Sequence, residues 1–269
     1  MSINSKTKLI FNQSLEIYVS DQIRSPLVIC SHERSGTHLL MNSLSKCTQY
    51  ENKPYFDFDF HNLGGKINLF SHDEIDYFFR QIKKIRSEND ELCISSLIKS
   101  HFPIEFLGDK VLNSIKIIYI YRNPVDLFTS YWKYLNSISY FLGPKTSTPL
   151  ETAQHIPCGF SQRYQPQNYK NYFERWAMHV SNAFSLKDKY QNIQLISFND
   201  IKNNHNMAVE KVCSDLEIRL INQPSLPLKS DYFIGSDLNI LSSQKEALKD
   251  YCYSEILKYS HLPKEVMNA

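Results

Sequence analysis

The run LVICSHERSGTHLL (27–40) passes from an apolar segment through a single glycine into an apolar-periodic stretch. A strand that ends in a turn and opens a helix aims several backbone N–H groups and the positive end of the helix dipole at one point. Gly36 lets the backbone approach a ligand closely, Ser35 and Thr37 add hydroxyl donors, and Arg34 carries a forked cation matched to phosphate or sulfate oxygens. No G-x-x-x-x-G-K-[ST] is present, so the turn has no lysine for β/γ-phosphates and no hydroxyl set for Mg²⁺. The chemistry indicated is metal-independent handling of an anionic group by a P-loop-like strand–turn–helix at 27–47.

Three other stretches carry reactive side chains. IKIIYIYRNPVDLFTSYWKY ends an apolar run at Arg122 and sets Ser130 eight residues later. LIKSHFP places Lys99 two residues before His101, on the same side of a strand end. Imidazole titrates near neutrality and is suited to accept a proton. KPYFDFDFHNLGG (53–65) alternates Phe56 and Phe58 with Asp57 and Asp59. It reads either as a surface loop or edge strand with solvated acids, or as a pocket in which cation–π contact and ion pairing hold a cationic small molecule.

These groups need elements to position them. LVICS (27–31), ELCISSLIKS (91–100), SIKIIYIY (114–121) and IQLISF (193–198) read as strands, and the first, third and fourth are nearly continuous apolar runs, as in a parallel sheet covered on both faces. Helical periodicity fills the gaps: Leu40, Leu44 and Cys47; then Ile75, Phe78/Phe79, Ile82 and Ile85; then NPVDLFTSYWKYLN with Asn123 as N-cap and Pro124 at the first helical position. A last stripe runs through Tyr169, Phe173, Trp176, Val180, Ala183 and Phe184. The alternation predicts an α/β, doubly wound parallel sheet with helices on both faces, in one domain over 1–269 with its core at about 24–262. Residues 137–167, rich in Gly, Pro, Ser and Thr and without steady period, are expected to form an acceptor-binding lid.

A formal charge of +2 gives no reason to expect a nucleic-acid partner. No run of about 18 apolar residues and no export signal are found, so neither a membrane partner nor secretion is expected. The six scattered cysteines form no C-x-x-C pair and read as buried free thiols in a reducing, cytoplasmic setting.

The motifs together resemble the sulfotransferase family. SHERSGTHLL is similar to its 5′-phosphosulfate loop (roughly Tyr-Pro-Lys-Ser-Gly-Thr-Thr-Trp), and Arg122 and Ser130 stand at the spacing of its 3′-phosphate motif. LIKSHFP resembles its Lys-Thr-His-x-Pro segment and LISFNDI its Tyr-Glu-Asp-Leu segment. The resemblance covers about residues 27–216 and implies the co-substrate 3′-phosphoadenosine 5′-phosphosulfate (PAPS), leaving 3′-phosphoadenosine 5′-phosphate (PAP), with no metal. It implies His101 as base, with Lys99 and Arg34 steadying charge at the sulfuryl group. It implies Arg34, Ser35, Gly36, Thr37 and His38 at the 5′ end, Arg122 and Ser130 at the 3′ end, and Leu39 and Phe198 near the adenine. Lys229 is the counterpart offered for a C-terminal basic segment that is only faintly echoed. Leu39 stands where the family commonly has a stacking Trp, and Phe198 where it usually has Tyr. The acceptor is expected to be a small hydroxylated molecule meeting Phe56, Asp57, Phe58 and Asp59; His32, beside Glu33, is either structural or faces it. A small-molecule kinase and a non-catalytic nucleotide-binding module are the alternatives. Oligomeric state is left open by the sequence.

Overall fold

The computed structural model describes residues 7–12, 15–19, 26–57, 85–86, 95–165, 167–228, 238–259 and 262–268. Its centre is a five-stranded sheet of β3 (Leu27–Ser31), β4 (Tyr50–Asp57), β6 (Ser95–Ser100), β7 (Lys116–Tyr121) and β8 (Ile193–Ser197), in the order β4-β6-β3-β7-β8. Every pairing is parallel. The expected strands are thus present, with β6 beginning at Ser95 among the described residues. β4 is an addition: it runs along the sheet edge, where the register shift between Glu51 and Phe56 spans Pro54, a residue that can give no ladder N–H.

Side chains of the central strands alternate between two cores. Leu27, Ile29, Ile118 and Ile120 pack against α1 (Thr37–Cys47) and α7 (His205–Asp215), together with Ile201 of α6 (Phe198–Asn203). Val28, Cys30, Ile117 and Tyr119 face α2 (Gly108–Leu112) and α5 (Tyr172–Lys189) on the other side. Because α1 follows β3 on one face while α2 and α5 lie on the other, the winding reverses at β3. A doubly wound sheet binds its ligands at the carboxyl ends of the strands beside such a reversal.

A third core joins α3 (Pro124–Ser137), α4 (Pro149–Gln154), α5 and α8 (Ser242–Ile256), with Trp176, Phe128, Tyr131 and Phe173 almost fully buried. The N-cap of α3 forms as expected: Asn123 Oδ1 accepts from Val125 N at 2.8 Å. Asn123 Nδ2 also donates to the carbonyl of Met267, tying the C-terminal turn to this helix start.

Several sequence expectations are corrected. α5 starts at Tyr172 with Asn171 as its cap, so Tyr169 precedes the helix. Ile85, placed on a helical stripe, lies in β5 (Ile85–Arg86), which pairs with β2 (Leu15–Val19); β2 in turn pairs with β1 (Thr7–Asn12) in a small antiparallel sheet. The rest of that stripe, Ile75 to Ile82, lies outside the described residues. The segment expected to be an aperiodic lid carries α4 and a 3-10 turn over Gly159–Tyr164. Among the described residues no helix is long and apolar enough to cross a membrane. Five described cysteines are free and four of them buried.

Candidate active site

Three neighbouring strands, β6, β3 and β7, deliver the candidate groups at their carboxyl ends: His101 just after β6, the turn 32–36 just after β3, and Arg122 just after β7. The turn is wound tightly. Gly36 has φ 98°, and Arg34, with a side chain, has φ 67°. A non-glycine residue in this region costs about 1–3 kcal/mol and persists only where its surroundings hold it. Here Arg122 Nη1 donates to the Arg34 carbonyl at 2.7 Å. The Arg34 side chain is held too, its Nε donating to Ser130 Oγ at 3.2 Å and its guanidinium lying 4.8 Å from the centre of the Tyr134 ring.

Arg122 and the glycine turn therefore sit side by side. Phe198 packs between them: the Arg122 guanidinium lies 4.2 Å from its ring centre, and a Cβ added at Gly36 would come within 2.5 Å of its Cδ2. Burial brings Arg122 down to about 10, still cationic at neutral pH, and burial likewise lowers Arg34. Ser35 Oγ and Arg122 Nε are buried with no hydrogen-bond partner among the described residues. A buried donor left unpaired is costly, and here one stands in the turn and one at the end of β7.

His101 is fixed from two sides. Its Nδ1 lies 2.9 Å from the Ser31 carbonyl; a carbonyl can only accept, so Nδ1 carries the proton and Nε2 is the basic nitrogen. Its own carbonyl lies 3.1 Å from His179 Nε2, which must donate, leaving His179 Nδ1 to accept from Tyr119 Oη at 2.7 Å. Burial first, and the Lys99 charge next, bring the His101 pKa well below its usual value, with Glu33 opposing. The imidazole is thus neutral and able to take a proton at pH 7. Ser31 Oγ also meets Thr37 Oγ1 at 2.7 Å, linking the residue that anchors His101 to the first residue of α1.

The other candidates fall as follows. Lys99 is buried on β6. His38 is exposed on the first turn of α1. Leu39 is buried in the core under that helix, and so offers no exposed flat face. His32 is buried, its ring edge-on to Tyr131 and His179. Phe56 and Asp57 lie at the end of β4, paired in register with Ile98 and Lys99, so Asp57 shares the strand-end level of the base. Phe58, Asp59 and Lys229 lie outside the described residues.

Sequence reasoning missed the group behind the turn. Glu33 accepts two bonds from Arg175 Nη2, at 2.6 and 2.7 Å, and both residues are buried. Burial alone would raise the Glu33 pKa, but Arg175 first, then His32 and His101, hold it far below the usual carboxylate range. Tyr164, from the 3-10 turn, stands edge-on to His101 with ring centres 5.5 Å apart. Charged residues read as solvated by default, and an aromatic in an aperiodic stretch carries no positional signal, so neither could be found from spacing.

Comparison with known proteins gives relatives of one kind. Sulfotransferase 2A1 of Macaca fascicularis is 26% identical over 159 residues, covering 55% of this chain and 48% of that protein. Sulfotransferase 1B1 of Canis lupus familiaris is 26% identical over 175 residues, covering 64% of this chain and 49% of that protein. The chain spans about half the length of these curated relatives. Among solved structures, a sulfotransferase from Alicyclobacillus acidocaldarius aligns with a TM-score of 0.48 at 14% identity, covering 91% of this chain and 99% of that one. The sulfotransferase domain family matches residues 24–229, a span that takes in the turn, the base and the Arg122 strand end, and the chain belongs to that family.

Proposed function

We propose that this protein transfers the sulfuryl group of PAPS to a hydroxyl of a small molecule. The observation that carries the reading is the pair of buried donors without a partner among the described residues, Ser35 Oγ and Arg122 Nε, in two basic grips joined by the Arg34–Ser130 bond. Ser35, Gly36, Thr37 and His38 with the α1 N-terminus hold the 5′-phosphosulfate, and Arg122 with Ser130 holds the 3′-phosphate. Phe198, between the grips, is the adenine-side wall. His101 Nε2 removes the acceptor's hydroxyl proton as the oxygen attacks sulfur in line. The sulfur–oxygen bond to the 5′-phosphate breaks, and Arg34 and Lys99 steady the charge that moves onto the phosphate and the sulfuryl oxygens.

Family membership and the absence of a Walker lysine favour this over phosphoryl transfer. On the acceptor side, Asp57 in register with Lys99 supports a cationic acceptor, an amine- or guanidinium-bearing natural product, and the Tyr164 ring beside His101 adds an aromatic neighbour. Residues 137–167 serve as its outer wall or lid.

The test has a donor arm and an acceptor arm. In a metal-free thermal-shift series, PAP at a hundred times its dissociation constant should stabilise by about 2.7 kcal/mol, with AMP and ATP giving less. His101→Ala should still bind PAP and lose turnover at least 100-fold. Stabilisation by ATP but not PAP, or full activity in His101→Ala, would overturn the assignment. Equal kcat/KM for a neutral phenol and a charged amino alcohol would remove the cationic acceptor alone.

A further inference from the structure

We propose that the buried Glu33–Arg175 pair positions the donor-binding turn, locking its backbone to α5 so that Arg122 and His101 are aimed together. The inference rests on the donor reading above and names two positioning residues for it. Neither touches the substrate in this account.

The turn is where the groups meet. Three carbonyls between the end of β3 and the turn each hold a different side chain: Ser31 O accepts from His101 Nδ1 at 2.9 Å, Glu33 O from His32 Nδ1 at 3.1 Å, and Arg34 O from Arg122 Nη1 at 2.7 Å. A rotation of the backbone anywhere in 31–34 would move all of these carbonyls, and with them both the base and the 3′-phosphate grip. Arg34 moreover sits at φ 67°, a conformation that an L-residue keeps only under constraint. One constraint is Arg122 on its carbonyl. The other lies one residue earlier, where the Glu33 carboxylate is held by Arg175 Nη2 at 2.6 and 2.7 Å.

A carboxylate in a turn built for an anion works against binding unless it is neutralised. Arg175, 1% exposed, is the counter-charge: its Nη2 serves Glu33, its guanidinium lies 5.9 Å from the centre of the Tyr172 ring, and its Nε and Nη1 find no partner among the described residues. Placing two charges in the interior is costly, and a hydrophobic pair would do as well for stability alone. The location of this pair, rooted in a long helix and ending within the turn, fits alignment of the site.

The charge has a second effect. Among the described residues, the groups that face His101 include Lys99 on its own strand, Glu33 in the turn, His38 on α1, Tyr164 on the 3-10 turn, and His179 on α5, which holds its carbonyl. Of these, Glu33 carries negative charge and favours the imidazolium formed when His101 takes a proton.

The experiment compares Glu33→Gln, Arg175→Lys and Arg175→Met with the wild type, after circular dichroism has shown each to be folded. PAP affinity is read by calorimetry, and kcat, donor KM and the pH profile of kcat/KM by turnover. Glu33→Gln keeps the shape of the side chain and removes its charge. It should weaken PAP at least fivefold, lower kcat, and move the acid limb of kcat/KM to lower pH. Arg175→Met should lose at least tenfold in both PAP affinity and kcat, and Arg175→Lys should recover part of both. A role in stability alone would lower the melting temperature while leaving affinity, kcat and acid limb at wild-type values in the folded variants, and that result would overturn the proposal. Should Arg175→Met fail to fold, Glu33→Gln and Arg175→Lys decide. A wild type that binds no PAP overturns the donor reading and this inference with it. A wild type that binds PAP, beside a Glu33→Gln that matches it in every readout, overturns this inference alone.

Discussion

Arg122 does two things with one planar head, Nη1 holding the Arg34 carbonyl and the flat face resting on Phe198, while Nε has no partner among the described residues. A lysine carries the same charge but cannot do these at once. Arg122→Lys should therefore weaken PAP at least tenfold, about 1.4 kcal/mol. AMP, which lacks the 3′-phosphate, should change less than threefold; calorimetry with both nucleotides checks this, and equal losses would show that Arg122 serves the turn and not the 3′ end. For His101 the sign of the pH effect follows from its environment. Burial and Lys99 lower its pKa, so the imidazole is already deprotonated at neutral pH, and in its proposed role as base kcat/KM should lose activity to its protonation only well below pH 6.5. These residues were legible beforehand because their spacing is local: Arg122 and Ser130 lie on one strand–helix unit, and Lys99 and His101 on one strand end. Glu33 and Arg175 stand 142 positions apart, and nothing in either neighbourhood announces that both will be buried.

At the scale of elements, the strand–turn–helix at the centre of the sheet is the least tolerant part. Gly36→Ala would place a methyl against Phe198, whose ring is already backed by Arg122, in a backbone conformation that alanine resists. We expect a loss of about 1–3 kcal/mol in stability and of most PAP-induced stabilisation, measurable in the same thermal-shift series. The apolar runs that predicted β3, β7 and β8 were readable because buried parallel strands cannot alternate with polar residues. β4 was harder: an edge strand with a register shift and a proline looks like a loop in one dimension. The turn itself was likewise visible, as a strand-to-helix junction around one glycine, whereas its anchoring was not, since anchoring depends on a helix that returns from far along the chain.

For the whole molecule, the interior carries an unusual load of neutral histidine. Burial brings His32 down to about 4 and His179 to about 3. An unfolded histidine titrates near 6.5, so these groups contribute their full stability above that pH. They lose it as the pH falls from about 6.5 toward their folded values, at roughly 1.4 kcal/mol per unit for each. The melting temperature should be level between pH 7 and 8 and fall steeply from 6.5 to 4, with a shallower slope in His179→Gln. A level profile down to pH 5 would contradict the burial of these rings as uncharged groups.

The chain divides its labour in an instructive way. The turn 32–36 and Arg122 grow out of strand ends of the central sheet, while Tyr164, whose ring meets His101, hangs on a short 3-10 turn outside it. Under the proposed function such a chassis invites modular re-engineering: grafting a different stretch between α3 and α5 ought to retarget the chemistry while its fuel supply stays untouched.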